Sequence, residues 1–263
     1  MFRDLGIFVQ SSDLYSDIWN IFFIFFKKNF SHIKKDVYLN THQKEFNFKG
    51  FNIISTKVGN CEFGEHFKKG LNKVKEKYVL FITIDSIIKK KVNKKSLENC
   101  FKFIKKNNLD AIYLINQNYK KILKTKNKKI GRICLPTKDS YSMQIAIWKK
   151  ETLKKILLNH ETTWALEWFG TKRCNVLNLK LATINNKKYD VFYYDKEGFL
   201  VKGLWTKKAI KFLKKNKISL NFKKRGIYNE DSYFFKLITR IRMKYLLVKS
   251  GLKGSYIFKR NVF

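Results

Sequence analysis

A single proline and twelve glycines in 263 residues leave little room for long linkers, and the chain has no low-complexity tract and no internal repeat. Its four cysteines, Cys61, Cys100, Cys134 and Cys174, lie far apart without a CxxC pair. The sequence therefore signals neither a zinc site nor a disulfide framework and fits a reducing cytoplasm. Phosphate-cradling glycine loops are missing too: GxGxxG and GxxxxGK[ST] do not occur, and Gly251-Leu252-Lys253-Gly254-Ser255 is no substitute. That removes classical dinucleotide enzymes and P-loop NTPases, and the absence of HExxH and GxSxG removes zincins and the usual serine hydrolases. The continuously apolar piece Ile21 to Phe26 falls far short of the ~20 residues of a membrane span, so it is expected in a core helix. Asp4 interrupts any basic leader, and Leu5 to Val9 is too short for a signal peptide; the chain is expected to stay inside the cell.

Acids are scarce as well. Twenty Asp and Glu against 57 Lys and Arg give a net charge of +37, which favours polyanionic partners: nucleic acid, an anionic membrane face or phosphorylated substrates. The lysines are scattered as solvated faces, however, and Lys, Asn, Ile, Phe and Tyr are all abundant, as A/T-rich coding would also produce.

What is present is enough to build a core: 44% of the residues are apolar and 16% aromatic. The stretch Lys77 to Ser86 organises the chain, because Tyr78 to Ile82 reads as a strand covered on both faces and the run ends on a lone carboxylate, Asp85. In parallel sheets ligands bind where strands end. Before it, Leu5 to Val9 predicts a strand and the segment from Tyr15 to Lys28 a helix; Val37 to Leu39 and Phe51 to Ile54 predict two further strands. Phe63, Phe67, Leu71 and Val74 recur at helical spacing, as do Leu97, Phe101 and Ile104 ahead of a strand over Ala111 to Leu114. The alternation predicts an α/β fold with a mainly parallel sheet and helices on both faces.

Several segments together resemble bacterial GT-A-type glycosyltransferases that build surface polysaccharides and lipopolysaccharide. The opening Phe8-Val9-Gln10-Ser11-Ser12-Asp13-Leu14-Tyr15-Ser16-Asp17-Ile18-Trp19 is similar to that group's first strand and polar turn. Val37 to Thr41, the approach to Asp85, Tyr141 to Glu151 and Thr163 to Trp168 follow in family order. The resemblance departs at Ile84-Asp85, where the group commonly has an Asp-Asp pair.

The resemblance implies a Rossmann-like GT-A domain over 1–230 that takes a nucleotide-diphosphate sugar at the carboxyl ends of the strands. Ser11, Ser12, Asp13, Asn40 and Thr41 would face the base and ribose, and Asp85 the diphosphate, with Mg2+ or Mn2+ if a metal is used; Arg225 would reach the phosphates. The residues themselves allow plainer roles: an N-cap for Asp13, a turn for Asn40 and Thr41, a turn or cap for Asp85, and a solvated basic face for Arg225. Glu167 is the candidate base for an inverting transfer to a hydroxyl of a surface glycan or lipid-linked oligosaccharide, since a partly desolvated carboxylate has a raised pKa. Its alternative is pairing with Lys172 or Arg173. Gln144, Trp148 and Trp164 would shape the sugar pocket, with a core position as the alternative for Trp148.

Residues 231–263 form a basic extension in which Phe234, Ile238, Ile241, Tyr245 and Val248 share a helical stripe bordered by basic residues. This predicts either an interfacial helix on the anionic inner membrane face or packing on the catalytic domain. Nucleic acid is not the expected partner. The competing reading of the whole chain is a noncatalytic nucleic-acid or anionic-membrane binding protein on a decayed transferase fold.

Overall fold

The structure, a computed structural model, describes residues 2–31 and 35–229, together with Ile238, Ile241 and Tyr245. Its chain divides into two compact units: residues up to 84 with 88–193, and residues 85–87 with those from Tyr194 onward.

The first unit follows the expected alternation through β1 (Leu5–Gln10), α1 (Ser16–Phe30), β2 (Val37–Leu39), β3 (Ile53–Ser55), α2 (Phe63–Lys73), β4 (Tyr78–Thr83), α3 (Lys94–Lys106) and β5 (Ala111–Tyr113). It then departs from it with β6 (Ile122–Lys124), β7 (Ile130–Ile133), β8 (Ala146–Lys149), α4 (Lys150–Ile156), α5 (Thr163–Val176) and β9 (Leu181–Ile184). Among the described residues these strands form one nine-stranded sheet in the order β3-β2-β1-β4-β8-β5-β9-β7-β6. Only β8 and β7 run against the other strands, so the sheet is mainly parallel in direction although half its pairings are antiparallel. β8 wedges between β4 and β5, placing Phe81 opposite Ala146 and Tyr113 opposite Ala146 on its other side. Burial on both faces explains the unbroken apolar runs: all of β1 is buried, as is Tyr78 to Ile82 of β4.

The link from β2 to β3 contains no helix, although parallel neighbours usually need a helical crossover. Phenylalanines supply the cover. Phe46, Phe48 and Phe51 lie against Phe23 and Phe26 of α1, with ring centroids 5.2 to 6.0 Å apart. Such pairs add about 0.5–1.5 kcal/mol each beyond area burial, and they account for the dense Phe22, Phe23, Phe26, Phe30 face of α1. At α5 the guanidinium of Arg173 and the carboxylate of Glu161, both fully buried, pair through 2.8 and 2.5 Å contacts, while Arg173 Nε donates to Ile156 O. The pair ties α5 to the end of α4.

In the second unit β10 (Leu200–Val201) and β11 (Leu204–Trp205) form a hairpin whose turn residues, Lys202 and Gly203, both have positive φ, the requirement of a turn that matches strand twist. α6 (Lys207–Lys215) starts at Thr206, whose hydroxyl accepts the Ala209 N–H, and buries Ala209 and Leu213 under a lysine-rich outer face. The sequence-based boundary at residue 230 thus lies well after the start of this unit at Tyr194. Of the expected stripe, Ile238, Ile241 and Tyr245 are helical and exposed; Phe234, Val248 and the rest of 231–263 lie outside the described residues. Among the described residues no helix is long and apolar enough to cross a membrane.

Candidate functional site at the carboxyl edge of the sheet

From β1 the chain turns through α1 to β2 on one side, and it later returns through α2 to β4 on the other side. The strand order therefore reverses between β1 and β4, and crevices at such reversals, outside the carboxyl ends of the strands, are where open α/β sheets take ligands. The β1/β4 ladder closes with the Ile84 N–H donating to Gln10 O at 2.9 Å. Ser11, Ser12, Asp13, Asn40 and Thr41 all sit at this edge, as their strand-end positions predict.

Most of their polar atoms are turned on one another. Asn40, fully buried, directs its amide nitrogen at Gln10 Oε1 (2.9 Å), His66 Nδ1 (2.9 Å) and His66 O (3.1 Å). Its oxygen accepts from Thr56 Oγ1 at 2.8 Å, and the same hydroxyl accepts the Thr41 N–H. Gly70 of α2 makes the approach possible, since a Cβ there would collide with Asn40 Oδ1. Burial, with the nearby His42 ring second, lowers the His66 pKa to about 4, so the ring is neutral at physiological pH. Its Nε2 is buried without a hydrogen-bond partner among the described residues. Gln10, Thr56 and His66 were missed by sequence reasoning. Each is an ordinary strand or helix residue in the sequence, and only Gly70 inside an amphipathic helix hinted at a close approach.

Asp13 is neither the expected N-cap nor free for a ribose. It lies in a 3-10 turn over Asp13–Tyr15, and its carboxylate accepts the N–H groups of His42, Gln43 and Lys44 at 2.9 to 3.0 Å. Partial burial pushes its pKa up, but these three donors outweigh that and hold it below the usual carboxylate value. Ser11 Oγ likewise accepts the Trp19 indole N–H at 2.7 Å. Ser12, half-buried, makes no side-chain cap bond to the turn it precedes.

Glu167 comes to the same sheet edge from another direction. It sits within α5, and its Oε1 accepts the Met143 N–H at 2.8 Å, just ahead of β8, whose first residue pairs with β4 and β5 near their carboxyl ends. Burial raises its pKa, and the Met143 bond only partly offsets that. The alternative pairing with Arg173 does not occur, because that guanidinium is committed to Glu161. Gln144 is half-buried beside Met143, and Trp164, at the start of α5, is largely exposed. Trp148 is fully buried between Tyr113 and Tyr141, with centroids 6.1 and 5.7 Å away; it is a core residue, not a pocket wall.

Asp85 and Arg225 belong to the second unit. The Asp85 carbonyl accepts the N–H groups of Phe199 and Ile87, and its carboxylate lies so close to Gly198 that a Cβ there would collide with Oδ2. Gly198 has φ +79°, so glycine is required twice over. Arg225 Nη1 donates to Gly203 O at 3.2 Å. Among the described residues no three His, Cys, Asp or Glu side chains gather to hold a metal ion. Mg2+ is commonly held by one or two carboxylates together with substrate phosphates, so Asp85 would supply the single protein carboxylate of such a site.

Among solved structures, the chain is similar to Staphylococcus aureus TarS 1-349 in complex with UDP-GlcNAc (TM-score 0.51, 14% identity, 73% of this chain and 58% of that one). It is similar also to the same fragment in complex with UDP (TM-score 0.51, 15% identity, 73% and 60%). The fold is GT-A-like. No protein-family model and no curated protein sequence matches the chain, and it spans about three fifths of the TarS fragment.

Proposed function

We propose that the protein is a nucleotide-sugar-dependent glycosyltransferase that moves a sugar to an acceptor hydroxyl by direct displacement, with Glu167 as the base. The observation that carries the reading is Glu167 itself. Burial makes its carboxylate a stronger proton acceptor, and the Met143 N–H orients it just ahead of β8, whose first residue pairs with β4 and β5 near their carboxyl ends. Its Oε2 has no hydrogen-bond partner among the described residues, which leaves it for an acceptor O–H. The acceptor oxygen forms a bond to the anomeric carbon as the bond to the nucleoside diphosphate breaks, and the proton passes to Glu167. TarS bound to UDP-GlcNAc and UDP shares the fold and supports the choice of donor class. Asp85, two residues beyond β4, is our choice for the diphosphate end, with Arg225 as a counter-charge.

The test pairs melting shifts with turnover. A nucleotide sugar bound to the native state raises Tm, and a panel of nucleotide sugars, with and without Mn2+, identifies the donor and any metal requirement. Glu167→Gln should then cut transfer by about 10²–10⁴-fold with that shift retained, whereas Asp85→Ala should weaken the shift itself. Unchanged turnover in Glu167→Gln removes the base; no shift with any nucleotide sugar removes the transferase.

A further inference from the structure

Beyond Glu167 along the sheet edge, a cleft of about 520 Å3 opens at the carboxyl ends of β5 and β9, lined by Asn116, Asn118, Tyr119, Ile122, Asn185 and Lys187 with Asn186 beside them. Its volume lies within the range of small-ligand sites, but its lining differs from an apolar pocket: four side-chain amides, one tyrosine ring, one isoleucine and one ammonium.

The wall is built rather than incidental. Asn116 holds it, donating from Nδ2 to Ile184 O at 2.9 Å, accepting the Asn118 N–H at 3.2 Å, and receiving Asp190 Oδ1 on its own N–H at 2.6 Å. Ile122 folds over Gly131, where a Cβ would collide with it. The Tyr119 hydroxyl donates to Asp139 O at 2.8 Å, which fixes the ring. The Asn118 amide and the Lys187 ammonium have no partner among the described residues, and Asn186 spends only its oxygen, on the Lys188 N–H. Amides and a fixed ring suit the hydroxyls and CH faces of a sugar. The neighbouring sequence adds a sign: Lys120, Lys121, Lys124, Lys126, Lys128 and Lys129 fall within one acid-free segment that includes the lining residue Ile122.

The cleft is also coupled to the proposed base. Gln117, between Asn116 and Asn118, donates to Ser142 Oγ at 3.0 Å, and the next residue, Met143, holds Glu167. In strand order β8 is followed by β5 and β9, so the segment that leads into β8 and holds the base neighbours the strands whose ends carry the cleft. We propose that this cleft is the acceptor subsite and that it takes an acidic saccharide, one bearing carboxylate or phosphate groups, whose terminal hydroxyl is presented to Glu167. The subsite rests on the transferase reading, while the saccharide specificity is testable apart from it.

Calorimetric titration of the full chain at about 0.15 M salt, where long-range charge attraction is screened, should compare hexagalacturonate, neutral maltohexaose and tripolyphosphate. Hexagalacturonate is expected to bind at least ten-fold more tightly than either of the others. Lys187→Glu, an exposed position, should weaken it at least ten-fold, and Asn118→Gly, which keeps the positive φ of that residue, about three-fold or more. Equal binding of maltohexaose removes the acidic requirement, and equal binding of tripolyphosphate removes the sugar. A loss of two-fold or less in Lys187→Glu means diffuse attraction to a basic surface and overturns the site. The nucleotide-sugar melting shift separates the two readings: a shift without selection of hexagalacturonate overturns the cleft alone, and selection without a shift leaves a saccharide site and overturns the transferase.

Discussion

The two ends of one sheet edge treat polar side chains in opposite ways. Where β1 and β2 finish, Gln10, Asn40, Thr41, Thr56 and His66 are buried and bonded largely to one another, and no Lys or Arg occurs from Asp4 to Phe26. Where β5 and β9 finish, Asn118, Asn185, Asn186 and Lys187 are exposed, and six lysines occur from Lys120 to Lys129 in the sequence. A buried polar group left unpaired costs more than its bond contributes, so the groups at the first end, His66 Nε2 apart, are bonded to one another and fix the shape of the loops around them. At the second end water can satisfy every group, and a ligand can take its place. Shape is set at one end, and contact is left open at the other.

The sharpest break of that contrast is at the closed end. Asn40→Ala would strip partners from Gln10, Thr56 and His66 together, for an expected loss of about 3 kcal/mol in denaturant unfolding; a loss under about 1 kcal/mol would mean water enters and the network is not closed. Next comes pH. The folded pKa of His66, about 4, lies below its unfolded 6.5, so the unfolded chain binds more protons between those values and stability rises with pH across the window. The contribution is fully present above about pH 6.5 and lost toward pH 4, on the order of 3 kcal/mol. A Tm against pH series should show that limb in the native chain and a flatter one in His66→Gln.

Asp13→Asn is expected to cost on the order of 1 kcal/mol, by weakening three charge-assisted bonds to a half-exposed carboxylate. Its pKa is depressed, so its own contribution is held above the usual carboxylate value and lost only at more acid pH than the His66 limb. Faster amide exchange at His42, Gln43 and Lys44 would be its local signature. Smallest is Asn118→Gly at the open end, which keeps the positive φ there, within about 0.5 kcal/mol of the native chain in the same unfolding measurement. A cost near that of Asn40→Ala would erase the distinction between the ends.

The period and placement of apolar residues determined the strands from Leu5, Val37 and Tyr78, the helices that bury Phe67 and Leu71 or Leu97, Phe101 and Ile104, and the α/β class, because burial on two faces or one stripe is a local pattern. The strand-end positions of Asn40, Thr41 and Asp85 were legible for the same reason. The insertion of β8 between β4 and β5 was not, since pairing direction depends on long-range register that no segment carries alone. Nor was the choice of partners: Glu161 over Glu167 for Arg173, three backbone N–H groups for Asp13, and the core for Trp148. A side chain's chemistry is written in its residue type, but what it is spent on depends on which groups the fold brings within about 3 Å, and residues far apart in the chain supply them.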